Sequence, residues 1–176
     1  MAISFENRVA IVTGAGGGLG RTYALELAAR GAKVVVNDFG GSRDGTGGAS
    51  EAAEKVVAEI RSKGGVAIAD AGNVTKFEDM QALAKSTVEE FGRIDILINN
   101  AGILRDKSFA KMEMSDFRAV VDVHLIGSAN ASRAVWDVMK GQNYGRILMT
   151  TSTSGVYGNF GQSNYCLLYT SLMARG

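Results

Sequence analysis

The chain has 176 residues, with 19 Lys+Arg against 18 Asp+Glu and a single His. This near-neutral balance argues against an electrostatic footprint for nucleic acid or an anionic membrane. Apolar residues make up 46% of the chain, which excludes disordered and collagen-like classes and is ample for one real core.

One Cys cannot close an internal disulfide, and no metal site is assigned. No apolar run approaches the roughly 20 residues of a membrane span, and Met1 to Asn7 does not read as a signal peptide. Arg8 to Thr13 is a β-rich run that opens into Gly14-Ala-Gly-Gly-Gly-Leu-Gly20, and a helix over Arg21 to Arg30 follows. Lys33 to Asp38 is the second strand. A Gly-rich loop runs over 39–49, and a helix from about Ser50 carries Ala53, Val56, Val57 and Ile60 at helical spacing. Val66 to Ala69 is the third strand, and Phe77, Met80, Leu83, Ala84, Val88 and Phe91 mark the next helix. Ile94 to Ile98 is the fourth strand, opening into Asn99-Asn-Ala-Gly102. One long helix is predicted from about Ser115 to Met139, and Gly145 to Thr150 is the fifth strand.

Five alternations of strand and helix predict an α/β fold, a doubly wound parallel sheet of Rossmann type. Near-continuous apolar strands such as Val34-Val35-Val36 suit a sheet buried on both faces. No linker divides the chain, so residues 1–165 read as part of a single dinucleotide-binding domain.

Gly14, Gly18 and Gly20 sit between a strand and a helix in the pattern G-x-x-x-G-x-G. A glycine permits the tight turn, a missing Cβ lets backbone approach a pyrophosphate, and the helix N-terminus supplies N–H donors. Asp38 ends the second strand, where a carboxylate can accept from both ribose hydroxyls and repel a 2′-phosphate. NAD is therefore expected over NADP. Arg43 in the next loop offers a route to NADP by pairing that phosphate, and a simple Asx turn is the alternative role for Asp38.

The stretches Thr13 to Gly20, Asn99 to Gly102 and Ser152…Tyr165 resemble the short-chain dehydrogenase/reductase family over residues 4–165. Asn37 to Gly41, Asn100 to Asp106, Val123 to Leu125 and Tyr157 to Tyr165 are similar to one branch of it, the (3R)-hydroxyacyl-CoA dehydrogenase domains of multifunctional β-oxidation enzymes. The resemblance implies NAD-dependent oxidation of a (3R)-hydroxyacyl-CoA to the 3-ketoacyl-CoA. It assigns Gly14, Gly18, Leu19, Gly20, Asp38, Asn73, Val74 and Asn100 to the cofactor, with Asn73 standing where the family often has Asp. It implies Tyr165 as acid/base and Ser152 as a hydrogen-bond donor to the same substrate oxygen. His124 aligns with an Asn that the family uses in proton relay; a packed core histidine is the plainer alternative. The resemblance also implies a small acyl-CoA substrate, no nucleic-acid or membrane partner, a homodimer of the full-length parent, and a compartment that is cytoplasmic in bacteria or peroxisomal in eukaryotes.

The phenol titrates near 10 when unperturbed, and the family lowers it with a Lys four residues after the Tyr. Here Tyr169 occupies that position and no Lys follows Lys140. Residues 166–176 show no family resemblance and can be reverse-translated into a sequence that reads like a sequencing-library adapter. The expectation is a non-native tail in which Cys166, Tyr169 and Met173 have no role, on a domain truncated after the fifth strand. Two other readings stay open: a non-catalytic NAD-binding module, and an inert fragment.

Overall fold

The structure, a computed structural model, describes residues 3–41, 44–45 and 51–166. Arg43, Tyr169 and Met173 lie outside the described residues, as does Ser50. The strands are β1 (Val9–Thr13), β2 (Lys33–Asn37), β3 (Val66–Asp70), β4 (Ile96–Asn99) and β5 (Arg146–Met149). They form one parallel sheet in the order β3-β2-β1-β4-β5. The helices are α1 (Gly18–Ala29), α2 (Glu51–Ser62), α3 (Phe77–Phe91), α4 (Met114–Val121), α5 (Gly127–Gly141) and the short α6 (Thr153–Tyr157).

Side chains alternate across the pleat, so each central strand feeds two cores. Ala10 and Val12 of β1 pack with Val34 and Val36 against α1 and α2. Ile11 packs with Val35 and Leu97 against α3 and α5. This two-sided burial is why β1 reads VAIVT without polar alternation. The expected fold class is thus the observed one.

The chain winds outward from β1 through β2 to β3, then returns to place β4 on the other side of β1. The reversal opens a crevice at the carboxyl ends of β1 and β4, the place where open α/β sheets bind ligands. The opposite end of the same strands is clamped by buried Asp95. Its carboxylate accepts from Arg8 at 3.0 Å, from the Val9 N–H at 3.0 Å, and from Arg93 at 2.7 Å. Burial pushes the Asp95 carboxyl up, but hydrogen bonds from Arg93, Val9 and Arg8 outweigh it and hold it below the usual carboxylate range.

One predicted element is corrected. The single helix expected over 115–139 is α4 and α5 joined by a π-helical turn at Asp122–Ile126. Within that turn the Ser128 hydroxyl donates to the His124 carbonyl at 2.6 Å, an i−4 bond that competes with the helical ladder. α1 also begins at Gly18, three positions earlier than expected, and β4 begins at Ile96 instead of Ile94.

Candidate active site

The loop after β1 turns at Gly14, whose φ of +63° lies in the left-handed region. A Cβ there would come within 2.7 Å of the Ala101 Cα, and one at Gly20 would press into the Gly14 carbonyl. These two glycines let the loop, the start of α1 and the residues after β4 meet. Gly17 and Gly18 differ: a Cβ at either would meet nothing within 4 Å, so open space lies above the loop there. Gly17 caps α1 without a side-chain bond, and the first turn holds no acidic residue. The N–H groups of that turn are therefore left for an anionic ligand.

Asn100 ties the loop down. Its amide nitrogen donates to the Thr13 and Gly14 carbonyls, each at 3.0 Å, while its own N–H donates to Thr13 Oγ1 at 3.1 Å. Its side chain is thus spent on the shape of the loop.

Asp38 follows β2 and faces the same loop. Oδ2 accepts from the Gly16 N–H at 2.7 Å, and Oδ1 accepts from the Gly40 N–H at 2.7 Å. The second bond is the Asx turn weighed from sequence. It coexists with a ligand role, because each carboxylate oxygen keeps a further lone pair. Asn73 Oδ1 accepts from the Thr75 N–H and hydroxyl, and the Val74 carbonyl accepts from Asn130.

Gly14, Gly18, Leu19, Asp38, Asn73, Val74, Asn100 and Tyr165 all line one cleft of about 910 Å³. Of the residues singled out from sequence, Gly20 and Ser152 are not on its wall. Gly20 is buried beneath the loop. Ser152 caps α6, its Oγ accepting the Ser154 N–H at 3.2 Å, so its hydroxyl proton is still available to a partner.

Tyr165 stands edge-on to His124, with ring centroids 5.0 Å apart and planes at 88°. His124 Nε2 lies 3.0 Å from the Ile103 nitrogen and 2.9 Å from its carbonyl oxygen. Burial pushes the His124 pKa below its ordinary 6.5, against a smaller upward pull from the Ile103 backbone. Among the described residues no group of three or more His, Cys, Asp or Glu is arranged to hold a metal ion.

Sequence reasoning assigned no role to Gln162 and Asn164, although both fall in the stretch before Tyr165. Each is buried and hydrogen-bonded across the site to the residues after β4. Two buried amides within four residues of a candidate acid/base were the available signal.

A family model described as short chain dehydrogenase matches residues 8–167. The chain is 58% identical over 163 residues to peroxisomal multifunctional enzyme type 2 of Mus musculus, a match covering 93% of this chain and 22% of that protein. It is 55% identical over 163 residues to peroxisomal hydratase-dehydrogenase-epimerase of Saccharomyces cerevisiae, covering 93% of this chain and 18% of the relative. The chain therefore spans less than a quarter of either relative's length. Among solved structures it is similar to a 7α-hydroxysteroid dehydrogenase complexed with NADH and 7-oxo glycochenodeoxycholic acid. There the TM-score is 0.86 at 33% identity, over 96% of this chain and 62% of that one.

Proposed function

The chain belongs to the short-chain dehydrogenase family, a family of oxidoreductases, and from that premise we propose that it forms the NAD-binding and proton-transferring part of a 3-hydroxyacyl-CoA dehydrogenase. One observation carries the reading: the glycine turn, Asp38, Asn73, Val74 and Tyr165 line a single cleft at the switch point of the sheet. The yeast relative's name includes a dehydrogenase, which supports that role here, and the 3-hydroxyacyl-CoA substrate rests on the sequence resemblance.

The residues present fit a dinucleotide. Uncapped N–H groups at the start of α1, with open space over Gly17 and Gly18, would hold the pyrophosphate. Leu19 would cover it, and Asp38 would accept from the adenosine ribose hydroxyls. A 2′-phosphate would face the same carboxylate, which favours NAD over NADP. Asn73 and Val74 would border the adenine, with Asn100 holding the loop in shape.

Bound NAD supplies the acceptor for the substrate's hydride; the side chains handle the proton. Tyr165 would take the hydroxyl proton of the 3-hydroxyacyl group as the carbonyl forms. Ser152 would donate a hydrogen bond to the same oxygen. Tyr169 stands where the family places the Lys that makes such a phenol acidic, and this favours cofactor binding without turnover by the chain as it stands.

Calorimetric titration with NAD, NADP and ADP-ribose tests the cofactor assignment. NAD should bind more tightly than NADP. Asp38→Ala should weaken NAD by about tenfold or more, since hydrogen bonds to a charged group contribute roughly 1.5–3 kcal/mol. Tyr165→Phe should leave NAD affinity nearly intact, because its hydroxyl acts on substrate. Tighter NADP than NAD binding by the unaltered chain would overturn the role of Asp38.

A further inference from the structure

Two stretches beside the cleft have been given no role so far: 105–107, after β4, where Arg105 lines the cleft, and 159–164, just before Tyr165. The fold lays them against each other. Gln162 Nε2 donates to Asp106 Oδ2 at 2.9 Å, and Gln162 Oε1 accepts from Asn159 Nδ2 at 2.9 Å. Asn164 Nδ2 donates to the Arg105 carbonyl at 3.2 Å. The Lys107 N–H donates to the Gly161 carbonyl at 2.9 Å. Gln162 is 8% exposed and Asn164 fully buried.

The outer loop is itself braced. Asp116 of α4 accepts from Arg105 at 3.1 Å and from Lys107 at 2.9 Å. The inner ends of the same contacts reach Tyr165 directly. Its N–H donates both to Asn164 Oδ1 at 2.8 Å and to the Gln162 carbonyl at 3.0 Å.

We propose that Asp106, Gln162 and Asn164 are positioning residues that clamp the backbone of Tyr165 to the loop after β4 and so set where its phenol stands in the cleft. The inference rests on reading Tyr165 as the acid/base. Its physical basis is complementarity at buried sites. The donor end of each amide reaches across the gap, Gln162 to Asp106 and Asn164 to the Arg105 carbonyl, while the acceptor ends are met within the 159–165 stretch by Asn159 and the Tyr165 N–H. A slip of one residue in the 159–164 stretch would take Gln162 off Asp106 and Asn164 off the Arg105 carbonyl, leaving their buried N–H groups unpaired. The clamp thereby fixes register as well as distance. Tyr165 is held from one side through its amide and from the other by the His124 ring.

The test exchanges the acid and the amide. The chain is prepared with 13Cζ-labelled tyrosine, and the Tyr165 resonance is assigned with Tyr165→Phe. Two readouts follow: the pH titration of that resonance and the ring cross-peaks between Tyr165 and His124. Gln162→Glu sets a second carboxylate against Asp106 and should abolish the cross-peaks and shift the titration. Adding Asp106→Asn restores one acid and one amide, now reversed, and should return both signals to those of the unaltered chain. Were Gln162→Glu alone too unstable to fold, the double variant decides. Recovery supports the clamp, and failure to recover overturns it. Unchanged Tyr165 signals in a folded Gln162→Glu chain overturn it as well. NAD affinity is measured in parallel. Failure of the unaltered chain to bind NAD, with Tyr165 signals that recover in the double variant, would sink the proposed cofactor site while leaving the clamp standing. Intact NAD binding without recovery would do the reverse.

Discussion

At His124 one ring nitrogen faces both polar groups of a single residue, the N–H and the carbonyl of Ile103. A neutral Nε2 accepts from the first or donates to the second; a protonated ring can only donate. The sequence resemblance sets this position against a relay Asn of the family; in the structure the side chain packs on Gly102 and bonds the Ile103 backbone. A Cβ on Gly102 would collide with the ring, which shows how closely the two are packed. Burial holds the His124 pKa below 6.5, whereas an unfolded chain titrates near 6.5. The unfolded state therefore takes up the proton first on acidification. His124 contributes its full stability above about pH 6.5, and that contribution is lost as pH falls through the lower folded pKa. Urea midpoints measured down from pH 7.5 should drop in this window, and His124→Asn should flatten the decline. An equal decline in the variant would show that other groups carry it. Asp38 carries a similar lesson. Its Asx turn was foreseeable from local sequence, but its bond to the Gly16 N–H was not, because that partner lies 22 positions away.

The elements themselves were largely legible, because each has a periodicity that its own residues carry. Helix α2 keeps Ala53, Val56, Val57 and Ile60 buried as the spacing required. The predicted helix over 115–139 kept its apolar stripe but not its continuity. The π turn at 122–126 adjoins Gly127, which is packed so closely that a Cβ would lie 2.7 Å from Val74 Cγ2. The glycines around the start of α1 differ in what a side chain would meet. Gly20→Ala should destabilise the chain by about 1–3 kcal/mol, the usual range for overpacking, since its Cβ would meet backbone. Gly17→Ala should cost little, because its φ of −162° suits any residue and the space beside it is open. Thermal unfolding of the two variants separates them. Equal losses would refute the distinction.

For the molecule as a whole, β5 is one edge of the described sheet, with β3 at the other. Among the described strands it pairs with β4 alone, and Leu148 and Met149 on it are 50% and 43% exposed. Trp136, Val156, Tyr157 and Phe160 are exposed large apolar side chains as well. Unpaired backbone groups beside apolar side chains favour edge-to-edge association. Sedimentation velocity should show concentration-dependent association at micromolar chain. Leu148→Lys should reduce it by placing a charge on the edge, a device natural edges use. A strictly monomeric unaltered chain would contradict this.

Sequence alone determined the alternation of strands and helices, the doubly wound class, the glycine turn, Asp38 directly after the apolar run of β2 and the spacing of Ser152 to Tyr165. Each depends on residues close together in the chain, where periodicity, turn chemistry and propensity act locally. The tertiary structure alone decided which amide meets which carboxylate. Gln162 and Asp106 are 56 positions apart, Asn100 and Gly14 are 86 apart, and His124 meets Ile103 across 21. Such pairs depend on the parallel sheet, which sets the register of β1 against β4. No local preference encodes that alignment; burial of both faces of the sheet does, and the polar partners follow from it.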